Sequence, residues 1–505
     1  MKRAALVLAL VGCGSATHPA SPAPPAPPAP AVAPPPVAKS VPLTGIWLGT
    51  LQAGAKGLRI QVNLDLAPTP ATCALDSLDQ GAMAIPCTNV VASATALSFD
   101  VPAVHGTLKG TVSADANTVT ATWTQGSSEL PLVLTRQAAA VAAAKPSLDP
   151  AMPPVEIERL QGVIDADLAK ALTGRLAPAI GVGVTIGVVD HGVRKIFSYG
   201  AAKPDSVFEI GSITKTFTGL ALAQLAQQKK VRLDEPVRAL LPKNTVAAPP
   251  SGAEITLLDL SAQRSGLPRL PDNMKPADMA NPYVDYDAKA LYAFMASHGV
   301  AMPAVPEFGY SNLGVGLLGQ LLADRAGMTF EALVKKQITD PLGMRDTAIK
   351  LTPALAKRFV PGHGAGNQPQ GPWDFTALAG AGAIRSTAGD MLSFLEAQLH
   401  PDGVKGRTAE AKTLPAALAA SHEVRAEVGG GMHIALNWFH IDDSGRYWHN
   451  GATGGFSAYA TFDLEKDFAV IVLCSCSVDE GSFADDLGKH VVQRLTGKPA
   501  ATLAP

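Results

Sequence analysis

Charge is scarce in this 505-residue chain, and what there is nearly cancels: 17% of the residues are Asp, Glu, Lys or Arg, for a formal net charge of -2 at pH 7. Without a basic excess there is no electrostatic footprint for nucleic acid or an anionic membrane surface. Small molecules or neutral polymers are the expected partners. Long apolar runs are missing too. Past the N-terminus no stretch reaches about eighteen uninterrupted apolar residues, so no later segment is expected to span a bilayer. What the chain does have is apolar content, 47% of its residues, which marks it as globular, and a length that exceeds one ordinary core and implies two or more domains.

The chain opens MKRAALVLALVGC, two positive charges followed by a short apolar run from Ala4 to Gly12. This is the pattern of an export signal, too short to be a membrane span. Its ending, Leu10-Val11-Gly12-Cys13, resembles the lipobox of bacterial lipoproteins, which implies cleavage before Cys13 and lipidation there; an ordinary signal peptide with a chance cysteine is the alternative. The protein is therefore expected in the periplasm or on the outer surface, held to a membrane only through its lipid. Residues 14–41 are dominated by Pro and Ala and form an extended spacer.

From 42 to 136 the hydrophobic period is two. In LRIQVNLDL, Leu58, Ile60, Val62, Leu64 and Leu66 alternate with Arg59, Gln61, Asn63 and Asp65, so a small antiparallel β domain is expected. In an oxidising compartment Cys73 and Cys87, which bracket a loop of that domain, are candidates for a disulfide. Cys474 and Cys476 point to one face of an apolar strand and are expected to pack as small buried hydrophobes. A second linker covers 137–155.

From 156 to 500 the order of elements is informative. A helix over Ile157 to Leu172 precedes a hairpin, Ile180 to Val189 and Val193 to Tyr199 about an Asp190-His191-Gly192 turn. A mostly helical stretch runs from Ser212 to about Leu399. Strands return at Met432 to Ile441, Arg446 to His449, Tyr459 to Leu464 and Phe468 to Cys476, and a helix closes at Phe483 to Leu495. The fold class is α+β: one antiparallel sheet made from both ends of this region, flanked by helices, with a helical domain inserted between.

The segment EIGSITKTFTGLALAQLA, Glu209 to Ala226, reads as a buried helix with no polar face, yet Lys215 lies three residues after Ser212. On a helix such residues are about 5 to 6 Å apart at Cβ, so the amine reaches the hydroxyl. Burial disfavours the charged amine and makes a base of it, which is what a serine nucleophile needs. Ser-x-x-Lys is weak on its own, because an N-cap serine and a surface lysine give the same letters. Two later segments add weight: FGYSNLGVGLLGQLLA places Tyr310-Ser311-Asn312 before another apolar helix, and WHNGATGGFSAY places His449-Asn450-Gly451 at a strand end.

Taken in order, Ser212-x-x-Lys215, Tyr310-x-Asn312 and a His449-x-Gly451 box followed by Thr-Gly-Gly-Phe resemble the serine β-lactamase and penicillin-binding protein superfamily, and the tyrosine and GATGGF run resemble its class C β-lactamase branch. SGLPRLP, DPLGM and GAGAIRSTAGDML also match, and the resemblance covers about Ile157 to Leu495. It implies a β-lactamase/transpeptidase-like fold and a serine hydrolase working through an acyl-enzyme on Ser212, with Lys215 as base partner and Tyr310 sharing the proton transfers. Asn312 would hold the substrate amide and steady Lys215. The backbone N–H groups of Ser212 and Ala452 would form the oxyanion hole, and His449 and Gly451 would border the pocket, His449 touching a substrate carboxylate. No cofactor or metal is implied. The substrate would be an amide or ester of cell-wall peptide or β-lactam type. Alternatives on the same fold are a carboxylesterase or a D-amino-acid peptidase; one of another class is a non-catalytic peptidoglycan- or penicillin-binding protein.

Three departures stand out. The third box carries histidine where many penicillin-recognising enzymes carry lysine, so a carboxylate would meet a mostly neutral imidazole. LSAQRSGLP has Gln263 and Arg264 where relatives often show His-Thr, and no Pro-Gly pair precedes Tyr310. Elsewhere, His433 and His440 are read as opposite faces of one strand rather than as metal ligands. Thr387 and Asp390 are read as a capping box, and residues 442–445 as a hairpin turn.

Overall fold

The computed structural model describes residues 43–137 and 152–503, apart from 53–56, 68–70, 78–81, 105, 126–127, 251, 365–366, 430, 443, 478–482 and 501. Cys13, the spacer at 14–41 and most of the linker at 137–155 lie outside the described residues.

Between Gly45 and Arg136 the chain forms a nine-stranded antiparallel sheet. Its strands follow the two-residue period: in Gly57–Asp65, Ile60, Val62 and Leu64 are buried. They pack with Trp47, Leu97, Phe99, Val119 and Leu134 in one core. The two outermost strands, Ala82–Pro86 and Thr88–Ala92, are joined by Cys87 alone. Both edges of the sheet therefore meet, and the sheet rolls up on itself, which protects edges that would otherwise be open to pairing. Cys73 and Cys87 form a disulfide there, and the Cys87 N–H donates to the Cys73 carbonyl at 2.9 Å.

The larger region is built on an eight-stranded antiparallel sheet: β1 (Gly183–Asp190), β2 (Val193–Gly200), β3 (Ala426–Gly429), β4 (Met432–Ile434), β5 (Phe439–Ile441), β6 (Arg446–Ala452), β7 (Ser457–Asp463) and β8 (Phe468–Cys474). The spatial order is β2-β1-β8-β7-β6-β5-β4-β3, so β1 from the start of the region pairs with β8 from its end. β1 and β2 turn through His191 and Gly192, both at positive φ as a two-residue hairpin requires.

β8 is buried along its whole length, which explains its unbroken apolar run. Val470, Val472 and Cys474 face one core, packed with Leu160 and Ile164 of α1 (Ile157–Asp167) and with residues of the closing helix at 483–496. Ala469, Ile471 and Leu473 face the other core. That second core holds α2 (Thr214–Gln227), α3 (Asn312–Ala326), α4 (Ala388–Leu399) and α5 (Ala409–His422). Burying each Leu, Ile or Phe contributes about 1.5 to 3 kcal/mol.

The structure corrects three element boundaries and one cysteine assignment. The helix expected over 157–172 breaks at Leu168 into Ile157–Asp167 and Ala169–Thr173. The apolar segment from Glu209 is not one helix: Phe208–Glu209 pairs with Arg385–Ser386, Gly211–Ile213 makes a 3-10 turn, and α2 starts at Thr214. Met432 to Ile441 is two strands rather than one, because Asn437 adopts a positive φ of 63° and folds the chain back. His433 and His440 are therefore cross-strand neighbours, with His433 Nε2 2.9 Å and His440 Nδ1 3.5 Å from the Asp442 carboxylate. Finally, Cys474 and Cys476 are buried as expected but joined in a disulfide with Cα atoms 5.2 Å apart. An extended strand would separate them by about 6.6 Å; β8 ends at Cys474, and the bend beyond it closes the gap.

Candidate active site

The nucleophile turn is forced into shape by what packs on it. Gly211 has φ +50°, and a Cβ there would lie 2.6 Å from the Ala452 nitrogen. A Cβ on Gly451 would lie 2.0 Å from the Ile210 carbonyl oxygen and 2.9 Å from the Ser212 nitrogen. Only glycine allows β6 and the turn to come this close. The backbones of Ser212 and of Gly451-Ala452 are thus side by side.

Ser212 is partly exposed, on the turn that leads into α2, and Lys215 occupies the helix's second position with no solvent exposure. Its Nζ lies 2.9 Å from Ser212 Oγ and donates to the Ala381 carbonyl at 2.7 Å. The second anchor is therefore a backbone carbonyl, where the resemblance implied Asn312. Among the described residues, no carboxylate bonds to the amine. Burial, with a further push from the positive charge of Arg269, holds the Lys215 pKa well below its ordinary 10.5. A neutral amine has a lone pair, so the serine hydroxyl can donate across the 2.9 Å contact while the amine keeps its bond to Ala381.

The second box is fastened to the 261–271 segment. Gln263, 1% exposed and at a positive φ of 57°, accepts from the Ser311 N–H at 2.7 Å through Oε1 and from the Gly309 N–H at 2.7 Å through its carbonyl. Its amide donates to Asn437 Oδ1 at 3.3 Å, tying in the β4-β5 turn. Ser311 caps α3 by accepting from the Gly314 N–H, and its hydroxyl donates to the Pro268 carbonyl at 2.7 Å. The Leu313 N–H donates to the Arg269 carbonyl at 3.1 Å. These bonds hold Tyr310 with its ring centroid 5.0 Å from Lys215 Nζ, 5.1 Å from the Arg269 guanidinium carbon and 6.4 Å from the His449 ring. Burial raises the Tyr310 pKa, against a lowering by Arg269 and by the Ser212 hydroxyl. Asn312 donates to Tyr283 Oη at 3.4 Å, and its Oδ1 is buried without a partner.

His449 lies on β6 and is 1% exposed, its Nδ1 2.5 Å from the Asn450 carbonyl oxygen. Burial, aided by Lys215, lowers its pKa to about 3. The imidazole is neutral at any physiological pH. On β6 it sits beside Tyr310, and it brings no charge there.

Several residues near the site escaped sequence reasoning. Glu209 and Arg385, 3% and 5% exposed, form a buried ion pair at 3.0 Å; Arg385 also donates to the Trp373 carbonyl at 2.8 Å, and Glu209 accepts from the Trp373 N–H at 3.0 Å. Trp373, Tyr283 and Phe375 then cluster beside Asn312, with Tyr283 stacked on Phe375 at 4.5 Å. A charged residue on each side of an apolar run, in FEIGS and GAIRST, was the available signal. Among the described residues, no group of three or more His, Cys, Asp or Glu side chains could hold a metal ion.

The Beta-lactamase family model matches residues 170–493. Among curated proteins, the chain is 26% identical over 346 residues to the D-alanyl-D-alanine-carboxypeptidase/endopeptidase AmpH of Escherichia coli K12, covering 64% of this chain and 88% of that one. It is 25% identical to a beta-lactamase of Pseudomonas fluorescens over 58% of this chain and 88% of the relative, and 25% identical to penicillin-binding protein 4 of Amycolatopsis lactamdurans over 66% and 84%. A solved beta-lactamase from Sulfitobacter sp. EE-36 shares the fold, with a TM-score of 0.54 and 22% identity over 68% of this chain and 97% of the neighbour. The chain belongs to the beta-lactamase family and is a serine hydrolase of that fold.

Proposed function

We propose that this chain cleaves amide or ester bonds through an acyl-enzyme on Ser212, with a cell-wall peptide or a β-lactam as substrate. The fully buried Lys215 amine 2.9 Å from Ser212 Oγ, with no carboxylate bound to it, carries this reading. In the acylation step Ser212 Oγ attacks the substrate carbonyl and passes its proton to the neutral amine. The oxyanion is received by the N–H groups of Ser212 and Ala452. As the tetrahedral intermediate collapses, the leaving group takes a proton through Tyr310; a water then attacks the ester, losing its proton to the same Lys215-Tyr310 pair. Asn312, with its free acceptor, holds the substrate's amide N–H. His449 and Gly451 complete the pocket wall.

The named activities of the relatives support this substrate class: a D-alanyl-D-alanine carboxypeptidase, a beta-lactamase and a penicillin-binding protein. A carboxylesterase is the second reading, favoured by the neutral His449, which makes no demand for an anionic substrate. Lipidation at Cys13, and with it attachment to the outer face of a bacterial membrane, completes the proposal; the spacer at 14–41 would hold the folded regions off the surface.

The test is covalent labelling with a fluorescent penicillin and with a fluorophosphonate. Wild type is expected to label and Ser212→Ala to stay dark. Equal labelling of both removes the nucleophile. Turnover of a nitrophenyl ester with no opening of nitrocefin decides for the esterase.

A further inference from the structure

A β-lactam or a peptide C-terminus brings a carboxylate, and the third box has no charge to meet it. His449 is 1% exposed and flanked by Asn450, Phe439 and Tyr310. Lys215 is fully buried and committed to Ser212 and Ala381. The other buried cation beside the nucleophile turn, Arg385, is spent on Glu209, Asp374 and two backbone carbonyls.

Arg269 differs from all three. Its guanidinium carbon lies 5.1 Å from the centroid of the Tyr310 ring, the ring that Lys215 Nζ approaches to 5.0 Å. Among the described residues it makes no ion pair and no side-chain hydrogen bond, and it is only half-buried, so a ligand can reach it. Its backbone is not free to drift: the Leu313 N–H donates to its carbonyl, and the Ser311 hydroxyl donates to the carbonyl of Pro268 just before it. An unpaired guanidinium over the Tyr310 ring, on a backbone bonded to Leu313 just after Asn312 with its buried, unpartnered Oδ1, is a built receptor for a group that carries both an amide N–H and a carboxylate.

We propose that Arg269 receives the free carboxylate of the substrate and so takes over, from a different segment of the chain, the charge recognition that the third box cannot supply. The inference rests on the Ser212 acyl-enzyme reading and deepens it by naming an anionic substrate. The planar fork of the guanidinium donates two parallel hydrogen bonds to a carboxylate, which a lysine cannot reproduce.

The experiment compares a chromogenic acyl-D-alanyl depsipeptide bearing a free C-terminal carboxylate with the same compound as its primary amide, using the full chain, Arg269→Gln and Arg269→Lys. Wild type is expected to prefer the carboxylate at least 30-fold in kcat/KM, mostly through KM. Arg269→Gln should collapse that ratio to within about threefold of unity, and Arg269→Lys should restore part of it. Because Arg269 also lowers the Lys215 pKa, both absolute rates will move, and the ratio isolates recognition. If Arg269→Gln lowers both substrates equally, the residue tunes the Lys215-Tyr310 pair and the proposal falls. A wild type without preference overturns it too, while fluorophosphonate labelling at Ser212 would show that the hydrolase reading survives. A wild type that does not label loses both.

Discussion

Replacing Lys215 by methionine separates the two things that residue does. Methionine is unbranched and of similar length, so it fills the space with little repacking. Two hydrogen bonds go, to Ser212 Oγ and to the Ala381 carbonyl. Each contributes about 1 kcal/mol, and the Ala381 oxygen left without a donor adds about 1 to 3 kcal/mol. Against this stands the desolvation of the amine, whose folded pKa lies well below 10.5. The sign follows from proton counts. Between the two pKa values the unfolded chain binds a proton that the folded chain does not, so the penalty is complete below the folded value and vanishes as pH rises towards 10.5. The variant lacks that penalty. At pH 7 the loss of about 3 to 5 kcal/mol from the missing bonds and the stranded carbonyl is offset by the absence of that penalty, and wild type is expected to gain on the variant as pH rises towards 10.5. Acylation should fall by about 10² to 10⁴, the contribution of a general base, read from the rate of fluorescent penicillin labelling. A variant that acylates within tenfold of wild type, or one whose stability gap does not change with pH, refutes the reasoning.

Three further outcomes follow from single contacts. His449→Gln should flatten the acid side of the stability profile: the imidazole's pKa is about 3 in the folded chain against an ordinary 6.5, so wild type loses stability as pH falls through that window, by about 3 kcal/mol between pH 7 and 4, measured by urea unfolding. The same group should leave no limb in the pH-rate profile between 5 and 8. Gln263→Ala strands the buried Ser311 N–H and places alanine at positive φ; a loss of about 2 to 4 kcal/mol is expected from the unpaired donor and the strained backbone together, with a lower kcat as Tyr310 drifts, and stability equal to wild type would contradict the clamp. Gly451→Ala puts a methyl 2.0 Å from the Ile210 oxygen, so labelling of Ser212 should be lost because β6 is pushed off the turn; intact labelling counts against the packing described.

How much of this the sequence carried depends on the range of the physics involved. The strands were legible wherever one rule governed them: alternation in Gly57–Asp65, and an unbroken apolar run in β8, buried on both faces. The helix boundary at 209–214 was not, because it is set by β6 pressing on Gly211 from 240 residues away, and no local propensity reports that. The turn at Asn437 was hidden in the same way: apolar residues continue through it, and only a side chain tolerant of positive φ marks the reversal. In the site, the grouping of Ser212, Lys215 and Tyr310 was legible because the chemistry proposed for them demands those residue types, and the structure brings the three together. Gln263 was noticed as a departure from relatives, but its role as the bolt between the second box and the β4-β5 turn needed coordinates.

The electrostatics of the cleft follow from the same long-range packing. A lysine becomes a base when it is dry and unpaired, and the segment from Thr214 to Leu225 keeps it dry by being buried on every side. The same dryness lowers the pKa of His449 on the adjoining strand, so a single condition, the burial of Lys215 and His449, would both prepare the proposed base and strip the third box of its charge. A cation able to recognise an anionic substrate must then come from a residue that keeps partial contact with solvent. Arg269 meets that condition, and its charge reinforces the depression of Lys215 rather than opposing it. A carboxylate bound to Arg269 cancels part of that push, so substrate binding should raise the proton affinity of Lys215 just as Ser212 must give its proton up. Measured as a pH-rate profile, the acid limb, along which acylation is lost as Lys215 takes up its proton, should stand at higher pH for the carboxylate substrate than for its amide; limbs that coincide would mean that Arg269 and the substrate's charge never meet.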